Sequence, residues 1–190
     1  NQTTLAIRNA MLFTRLQRQH DILSALYEAS RRMTTSLRDP QTTLQHIAEQ
    51  AYRLLGNRER GGAFVLIALV ERQQLTFTAG YPYDQLEQLA TRIGRGIDLN
   101  SGTHGRIGIT GRAVVTGGSI RVPDVSKHPD YIEYVATTRS ELVVPICVDD
   151  QVIGVINLEH PQLDAFDEEL ERALRQLATQ AAIAIQNAQL

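Results

Sequence analysis

Two apolar runs separated by three polar residues constrain what this chain can fold into. The runs span 142–148 and 152–158, and Asp149-Asp150-Gln151 lies between them. β-Branched residues prevail in both runs and turn formers bound them, so they predict two strands joined in a tight hairpin. Successive side chains of a strand point to opposite faces, yet both sets in the first run are apolar: Leu142, Val144, Ile146 and Val148, against Val143, Pro145 and Cys147. We therefore expect the hairpin inside a sheet that has helices or loops on each face.

Composition and charge exclude several classes of protein. With 190 residues and 43% hydrophobic content, the chain fits one domain, or one domain with appended helices. A net charge of −2 does not indicate a positively charged surface for nucleic acid or a strong attraction to anionic membranes. Cys147 is the single cysteine, which excludes an internal disulfide and a multi-cysteine metal site and fits a reducing compartment. With no apolar run of about 18 residues and no signal peptide at its start, we expect a cytoplasmic protein without a membrane segment.

Residues 1–38 predict one long N-terminal linker helix with a coiled-coil seam. The seam has a four-three spacing, and three polar residues interrupt it, which weakens the seam but can fix its register. Its positions are Leu5, Asn9, Leu12, Leu16, Gln19, Leu23, Leu26, Ser30, Met33 and Leu37. Two interpretations are open: the helix packs along its own domain, or the chain forms a homodimer through its terminal helices.

Residues 39–164 predict the core of the domain. A helix begins with Asp39 as N-cap and Pro40 at its first position, and Gly56-Asn57 ends it. Eight of the 13 glycines fall within 94–118, which predicts a mobile loop followed by a short helix. Further strands are predicted over 63–70, 75–79 and 119–122, and short helices over 83–93 and 109–115.

Residues 165–190 predict a C-terminal helix that continues toward a neighbouring module. Asp164 is its expected N-cap, with Asp167 at the third position of a capping box. Residues 179–190 align without gaps on residues 1–12, with 6 of 12 positions identical. A chain that enters and leaves on similar helices is typical of one unit of a tandem array, so we expect neighbouring domains in the same protein.

Four local phrases, in the order in which they occur, resemble the GAF domain family. They are GITGRAVVTGG at 108–118, VPDVSKHPDY at 122–131, RSELVVPICVDDQVIGVINLEH at 139–160 and FDEELERALRQLATQAAIAIQNA at 166–188. The resemblance covers residues 20–190. It implies an α+β fold with an antiparallel sheet of about six strands. Helices would cover one face, and loops and short helices would form a small-molecule pocket on the other.

The residues present do not predict catalysis. No Ser-His-Asp or Cys-His grouping occurs as a local motif, and the five histidines lack metal-ligand spacing. The glycine-rich loop contains no lysine and is therefore not a phosphate loop. One GAF branch reduces free methionine sulfoxide with several cysteines, whereas this chain has only Cys147, which we expect to pack as a small buried hydrophobe. We therefore expect a chain that is not an enzyme.

The ligand motifs known in the family leave the ligand of this chain unknown. Bilin-binding members attach the pigment through a cysteine commonly followed by histidine, but Val148 follows Cys147 here. Haem would need an axial ligand, for which His104 or His128 could serve, but neither bilin nor haem is expected. Cyclic-nucleotide-binding members carry Asn-Lys and later Phe, three residues and Asp-Glu. This chain has Asn157-Leu158, and Phe166 is followed at once by Asp167-Glu168.

Candidate ligand-binding residues come from the segments opposite the expected helical layer. Backbone, hydroxyl and charged groups there could contact a ligand, and a buried arginine beside a carboxylate could hold an anion. A simpler interpretation is that the aspartate caps a turn, the arginine and glutamate satisfy each other, and the tyrosines fill the core. The candidates are Gly108, Thr110, Asp124, Tyr131, Tyr134, Arg139, Ser140 and Glu141.

Three functions are open at this point. The first is a non-catalytic sensory module of a signalling protein, such as a sensor histidine kinase, which binds a small molecule and relays the change through its terminal helices. The second is a dimerisation or spacer module without a ligand. The third is a cyclic-nucleotide-binding domain.

Overall fold

The computed structural model describes most of the chain from residue 40 onward: the ranges 40–55, 61–84, 96–102 and 105–188, and, singly, Arg15, Arg18, Gln19, Ile22, Glu87, Leu89, Thr91 and Gly94. Helices and strands follow one another in a mixed order. The elements are α1 (Pro40–Arg53), β1 (Phe64–Glu71), β2 (Gln74–Tyr81), β3 (Gly96–Asp98), α2 (Gly108–Thr116), β4 (Ile120–Val122), a 3₁₀ turn (Val125–Lys127), β5 (Ser140–Val148), β6 (Gln151–His160) and α3 (Glu168–Ala188).

The six strands form one antiparallel sheet in the order β3-β2-β1-β6-β5-β4. The hairpin predicted from the two apolar runs is β5–β6, and β6 also pairs with β1, which places it in the interior of the sheet. The α+β fold class expected from the sequence, with about six antiparallel strands, is therefore confirmed. Strands β1, β2, β4, β5 and β6 and helix α2 begin and end within two residues of their predicted bounds.

Helices α1 and α3 cover one face of the sheet, which we call the helix face. Both helices carry a stripe of apolar residues at helical spacing, which gives each of them a side to bury. Alternate residues of β5, including Leu142, Val144 and Ile146, pack against these stripes in a single buried cluster. Ile22, a helical residue of the N-terminal region, belongs to the same cluster, and Arg18 donates two hydrogen bonds to the carboxylate of Asp167.

Helix α2 and residues 123–139, which we call the covering segment, lie over the other face, the cavity face. Val143 and Val155 point to this side and pack with Ile109 and Ala113 of α2. Strand β5 is thus apolar on both faces because both faces are covered, as the sequence predicted. The arrangement of helices on one face and loops with a short helix on the other agrees with the expected fold.

Two local predictions differ from the structure. Strand β3 lies inside the glycine-rich stretch that was expected to be a loop, and its backbone pairs with Gln74, Leu75 and Thr76. Helix α3 begins at Glu168 rather than just after Asp164, because Asp167 caps it: the Asp167 Oδ1 accepts a 2.9 Å hydrogen bond from the Leu170 amide.

Several predicted features lie wholly or partly outside the described residues. Asp39 and most of the coiled-coil seam are among them, and so is part of the predicted helix 83–93, of which Tyr83, Asp84, Glu87, Leu89 and Thr91 are helical. The domain boundaries at residues 38 and 164 stay predictions. Within the described residues, no helix is both long enough and apolar enough to cross a membrane.

Candidate ligand site on the cavity face

A small cavity, which we call the sheet cavity, lies between the sheet and its cover. Its volume is about 20 Å³, which is room for about one water molecule. Most of its wall is apolar, and the polar groups are concentrated on β6 and α2. The lining residues are Leu66, Ala68, Phe77, Leu89, Ile97, Thr110, Tyr134, Val155, Asn157 and Glu159.

Two glutamates lie side by side at the polar end of the sheet cavity. Glu141 on β5 is the direct partner of Glu159 on β6 in the strand register, so their side chains project from the same face, with Cβ atoms about 5 Å apart. Their neighbours across the sheet are apolar, since Val122 pairs with Glu141 and Phe64 pairs with Glu159. Only 4% of Glu141 and 7% of Glu159 is exposed. The sheet therefore buries two carboxyl groups against each other in an apolar row.

Neutral groups supply the hydrogen bonds of these carboxyls. The Thr110 hydroxyl donates to Glu141 Oε1 at 3.4 Å, and the Thr138 hydroxyl donates to Glu159 Oε2 at 2.6 Å. The Asn157 side chain donates from Nδ2 to Glu159 Oε1 at 3.1 Å, which leaves its Oδ1 as an acceptor. That Oδ1 is buried and has no hydrogen-bond partner among the residues of the structure that are described. In the same residues, no ion pair joins Glu141 or Glu159 to a cation.

Burial changes the proton affinity of this cluster. It raises the pKa of Glu141 well above the usual value, and the charge of Glu159 raises it further. Burial also raises the pKa of Glu159, to about 7, although the hydrogen bonds from Thr138 and Asn157 oppose the shift. The phenol of Tyr131 lies near both glutamates, and burial together with their charges raises its pKa as well. The cluster is therefore electron-rich and lacks positive charge.

An ion pair holds the covering segment to α2. Arg112 on α2 donates to both carboxylate oxygens of Asp130, at 3.0 and 3.2 Å. The Arg112 guanidinium lowers the pKa of Asp130, chiefly by hydrogen bonding. Arg106 adds a 3.2 Å hydrogen bond to the Tyr131 carbonyl. These contacts keep Tyr131 and Tyr134 over the cavity face.

Four of the residues predicted as ligand contacts come together at the sheet cavity. Thr110 and Tyr134 line it, Glu141 accepts a hydrogen bond from Thr110, and Tyr131 lies close enough for the glutamate charges to act on it. Gly108 begins α2 with φ of 73° and faces the covering segment at Ile132. Whether any of these residues contacts a ligand stays a prediction.

Asp124, Arg139 and Ser140 lie elsewhere. Asp124 caps the 3₁₀ turn, accepts hydrogen bonds from Ser126 and pairs with Lys127, and these hydroxyl and ammonium partners lower its pKa to about 2. It lines an open groove of about 500 Å³ beside β4, outside the sheet cavity. Arg139 is exposed, and Ser140 donates to the Gln162 carbonyl at 2.8 Å. No described ion pair joins Arg139 to Glu141.

Sequence reasoning missed Asn157 and Glu159, which the structure places at the polar end of the cavity. A signal was present: Val155, Asn157 and Glu159 alternate along β6, so all three face the same side of the sheet. Asn157 and Glu159 are polar, whereas most of β6 is apolar. A single sequence does not give the register that sets Glu159 opposite Glu141.

Cys147 is exposed, so the prediction of a buried small hydrophobe was wrong. It lies near the hairpin end of β5, where it pairs with Val152. Six residues of strand separate it from Glu141, which is a distance of about 20 Å. The only thiol of the chain is therefore remote from the two glutamates. Among the described residues, no group of three or more His, Cys, Asp or Glu side chains is arranged to hold a metal ion.

The six-stranded sheet, its helical layer and the sheet cavity define an α+β domain with a small cavity under its cover on one face. The GAF domain family model matches residues 38–186. The chain belongs to the GAF domain family, as its sequence phrases indicated. A solved structure described as a putative GAF sensor protein from Burkholderia vietnamiensis superimposes with a TM-score of 0.72 at 20% identity, covering 91% of this chain and 99% of that one.

Two other similar proteins are enzymes. Free methionine-R-sulfoxide reductase of Escherichia coli is 36% identical over 73 residues, which are 38% of this chain and 44% of the relative. The reductase of Neisseria meningitidis, solved in complex with its substrate, has a TM-score of 0.68 at 22% identity and covers 90% of each chain. The chain spans less than half the length of the curated relatives it matches.

These relatives correct the functional expectations. The prediction of a non-catalytic sensory module of a signalling protein was wrong, because the E. coli relative is named for a catalytic reaction. The prediction that the chain is not an enzyme was wrong for the same reason. The dimerisation or spacer function and the cyclic-nucleotide function fit no better. The missing cysteines favoured a non-catalytic function, and only Glu141 of the buried acidic pair was among the predicted site residues.

Proposed function

We propose that this chain acts on free methionine-R-sulfoxide, and that the sheet cavity binds the ammonium group of that amino acid. The observation that carries the proposal is a set of three buried acceptor groups with no cation beside them in the described residues: Glu141, Glu159 and Asn157 Oδ1. An ammonium group brings three N–H donors and a positive charge. It would satisfy the orphaned amide oxygen and neutralise the buried carboxyls.

The remainder of the cavity suits the side chain of such a ligand. Leu66, Phe77 and Leu89 provide an apolar wall, against which methylene and methyl groups pack favourably. Thr110 and Tyr134, which carry hydroxyl groups, also line this cavity. The choice of methionine sulfoxide among amino acids rests on the reductase of E. coli, which matches part of this chain.

Entry of the ligand requires the cover to move. A cavity of about 20 Å³ holds about one water, and methionine sulfoxide is much larger. Tyr134 of the covering segment is half-buried over the cavity. Surface ion pairs such as Arg112–Asp130 cost little to break. We expect the covering segment to lift, taking Tyr134 away from the sheet, when the amino acid enters.

Reduction of the sulfoxide by this chain takes both electrons from thiols outside it. One sulfoxide and two thiols give a thioether, a disulfide and water, so the oxygen leaves as water and the two thiols are oxidised. Cys147 lies about 20 Å along β5 from Glu141 and cannot reach a sulfoxide bound beside the glutamates. A reducing compartment would supply such thiols, and the cytoplasmic location of the chain stays a prediction.

Binding and turnover are tested separately. Calorimetric titration compares L-methionine-R-sulfoxide with its N-acetyl derivative, which lacks the ammonium group. Turnover is followed as methionine formed in the presence of dithiothreitol, with dithiothreitol alone as the blank. The variants are Glu141→Gln with Glu159→Gln together, and Cys147→Ser as the matched control for an external thiol. Circular dichroism shows that each variant is folded.

The proposal predicts that the free amino acid binds and the acetylated one does not, and that the double glutamine variant weakens binding at least tenfold. Methionine should form faster than in the blank, and Cys147→Ser should leave that rate unchanged. Binding without turnover would overturn the reductase assignment. Loss of turnover in Cys147→Ser would overturn the proposal that thiols outside the chain supply the electrons. Equal binding of the acetylated compound would overturn the ammonium site.

The larger context of the chain stays a proposal. The similarity of residues 179–190 to residues 1–12 supports a tandem arrangement with neighbouring domains. The heptad seam of the N-terminal region supports a homodimer through the terminal helices. Sedimentation equilibrium of the chain tests the dimer, and Leu23→Asp with Leu26→Asp should convert it to monomers. A wild-type chain that is already monomeric at micromolar concentration would contradict it.

A further inference from the structure

The hydrogen bonds of the two buried glutamates come from neutral groups and do not compensate two negative charges. Glu141 and Glu159 are direct cross-strand partners, and each is flanked on its other side by an apolar residue, Val122 or Phe64. Two like charges in directly opposite positions of a sheet repel each other. Burial away from water makes two adjacent carboxylates much more costly than one.

The other groups around the pair offer no compensating charge. From the covering segment, Tyr131 and Glu133 are the titratable side chains that act on the same cluster, and neither is positive. Helix α2 contributes the Thr110 hydroxyl, and the covering segment also contributes Thr138. Strands β1 and β4 contribute the apolar Phe64 and Val122. Since no cation lies beside the pair in the described residues, only a proton can neutralise one of the two carboxylates.

From this arrangement we infer that the empty cavity holds one proton on the Glu141–Glu159 pair, and that an entering ammonium group displaces this proton into solvent. This inference rests on the proposed function, because it takes a protonated amine as the ligand. The exchange balances charge: one proton leaves and one cation arrives, so the buried site keeps the same net charge. Ligand affinity is therefore linked to pH through these two side chains.

The direction of the linkage follows from competition between the proton and the ligand. The raised pKa of Glu159, about 7, places the loss of the first proton from the pair near neutrality. Above that pH the pair keeps one proton, because burial and the charge of Glu159 raise the pKa of Glu141. Because the ligand competes with the protons of the pair, the affinity for an amine that stays protonated should rise at least tenfold between pH 6 and pH 8.

Calorimetry in two buffers counts the displaced proton. At pH 6, L-methionine-R-sulfoxide is titrated into the full chain in phosphate and in a second buffer of high ionisation enthalpy at the same pH. The difference in heat, divided by the difference in buffer ionisation enthalpy, gives the number of protons released. We expect at least about one proton at pH 6 and fewer at pH 8.5.

Two variants assign the proton to the pair. Glu159→Gln should release fewer protons at pH 6 than the wild type, because only one carboxyl of the pair, the buried Glu141, remains to titrate. Glu133→Gln is the matched control, since Glu133 is exposed on the covering segment, and it should release the same number of protons as the wild type. A Glu133→Gln variant that loses the release would overturn the assignment.

The outcomes separate this inference from the proposed function. Binding with the same heat in both buffers and a pH-independent affinity would overturn the proton exchange and leave the ammonium site intact. No binding heat in either buffer, and no competition in equilibrium dialysis with radiolabelled methionine sulfoxide, would overturn the proposed function and this inference with it. The result we expect is the release of at least about one proton at pH 6, reduced in Glu159→Gln and unchanged in Glu133→Gln.

Discussion

Glu141 on β5 lies directly opposite Glu159 on β6, and both side chains are buried on the cavity face of the sheet. Among the described residues, no cation pairs with them, and the buried amide oxygen Asn157 Oδ1 has no hydrogen-bond partner. An arrangement that costs stability and serves no packing need is typical of a binding site. The pair therefore connects the stability of the fold to the chemistry of its ligand.

The acidic pair should make stability fall as the pH rises. Because the folded state raises the pKa of Glu159 from 4.5 to about 7, the folded protein keeps a proton that the unfolded chain loses. The contribution is fully present below pH 4.5 and is lost as the pH rises through about 7. By linkage it amounts to about 3 kcal/mol. Urea unfolding at pH 5 and pH 8 measures it.

Comparison of two variants isolates this effect from other titrations. Glu159→Gln carries no charge, so its free energy of unfolding relative to wild type should improve by about 1–3 kcal/mol between pH 5 and pH 8. Glu71→Gln, at an exposed position of β1, should show no such change. A constant difference between Glu159→Gln and wild type at both pH values would contradict the raised pKa.

The lack of a side chain at Gly154 should be needed for the close approach of β6 to β1. A Cβ atom at this position would lie 2.6 Å from the Ala68 carbonyl oxygen and 2.9 Å from Leu69 Cδ2. Backbone atoms of a central strand cannot move away cheaply, so Gly154→Ala should cost about 1–3 kcal/mol in thermal or urea unfolding. Gly61→Ala is the control, because nothing lies within 4 Å of a Cβ there. Equal stability of the two variants would contradict the close approach.

The Arg112–Asp130 ion pair should govern how often the covering segment opens. Asp130→Asn removes the charge while keeping the shape, so amides within residues 125–139 should exchange hydrogen faster. Global stability should change little, because exposed ion pairs contribute little. Asp150→Asn in the β5–β6 turn is the control and should leave the exchange of the covering segment unchanged. Unaltered exchange in Asp130→Asn would show that other contacts hold the cover.

Patterns along the chain predicted the sheet well because they depend on local chemistry. The two-sided apolar character of β5 required cover on both faces, and α3 and α2 provide it. Strand β3 was missed because its three residues, Gly96–Asp98, are too few to show the apolar run or alternation by which a strand is recognised in a glycine-rich loop. Its strand conformation depends on pairing with β2, which is a long-range property.

The candidate site was predicted only in part because it depends on register. Thr110 and Glu141 could be proposed from their positions at the start of α2 and β5, but Asn157 and Glu159 become relevant only when β6 is aligned against β5. That alignment includes a shift between Ile146 and Cys147. The shift and the nearby hairpin end also explain why Cys147, in an apolar strand, reaches solvent.

A crystal structure of the chain with L-methionine-R-sulfoxide would locate the ammonium group of the ligand. We expect the ammonium nitrogen within about 2.7–3.2 Å of Glu141, Glu159 and Asn157 Oδ1, with Tyr134 displaced from its present position. This expectation would be contradicted by a cavity that stays closed while the ligand lies in the groove beside β4. An amino acid oriented with its carboxylate toward the glutamates would contradict it as well.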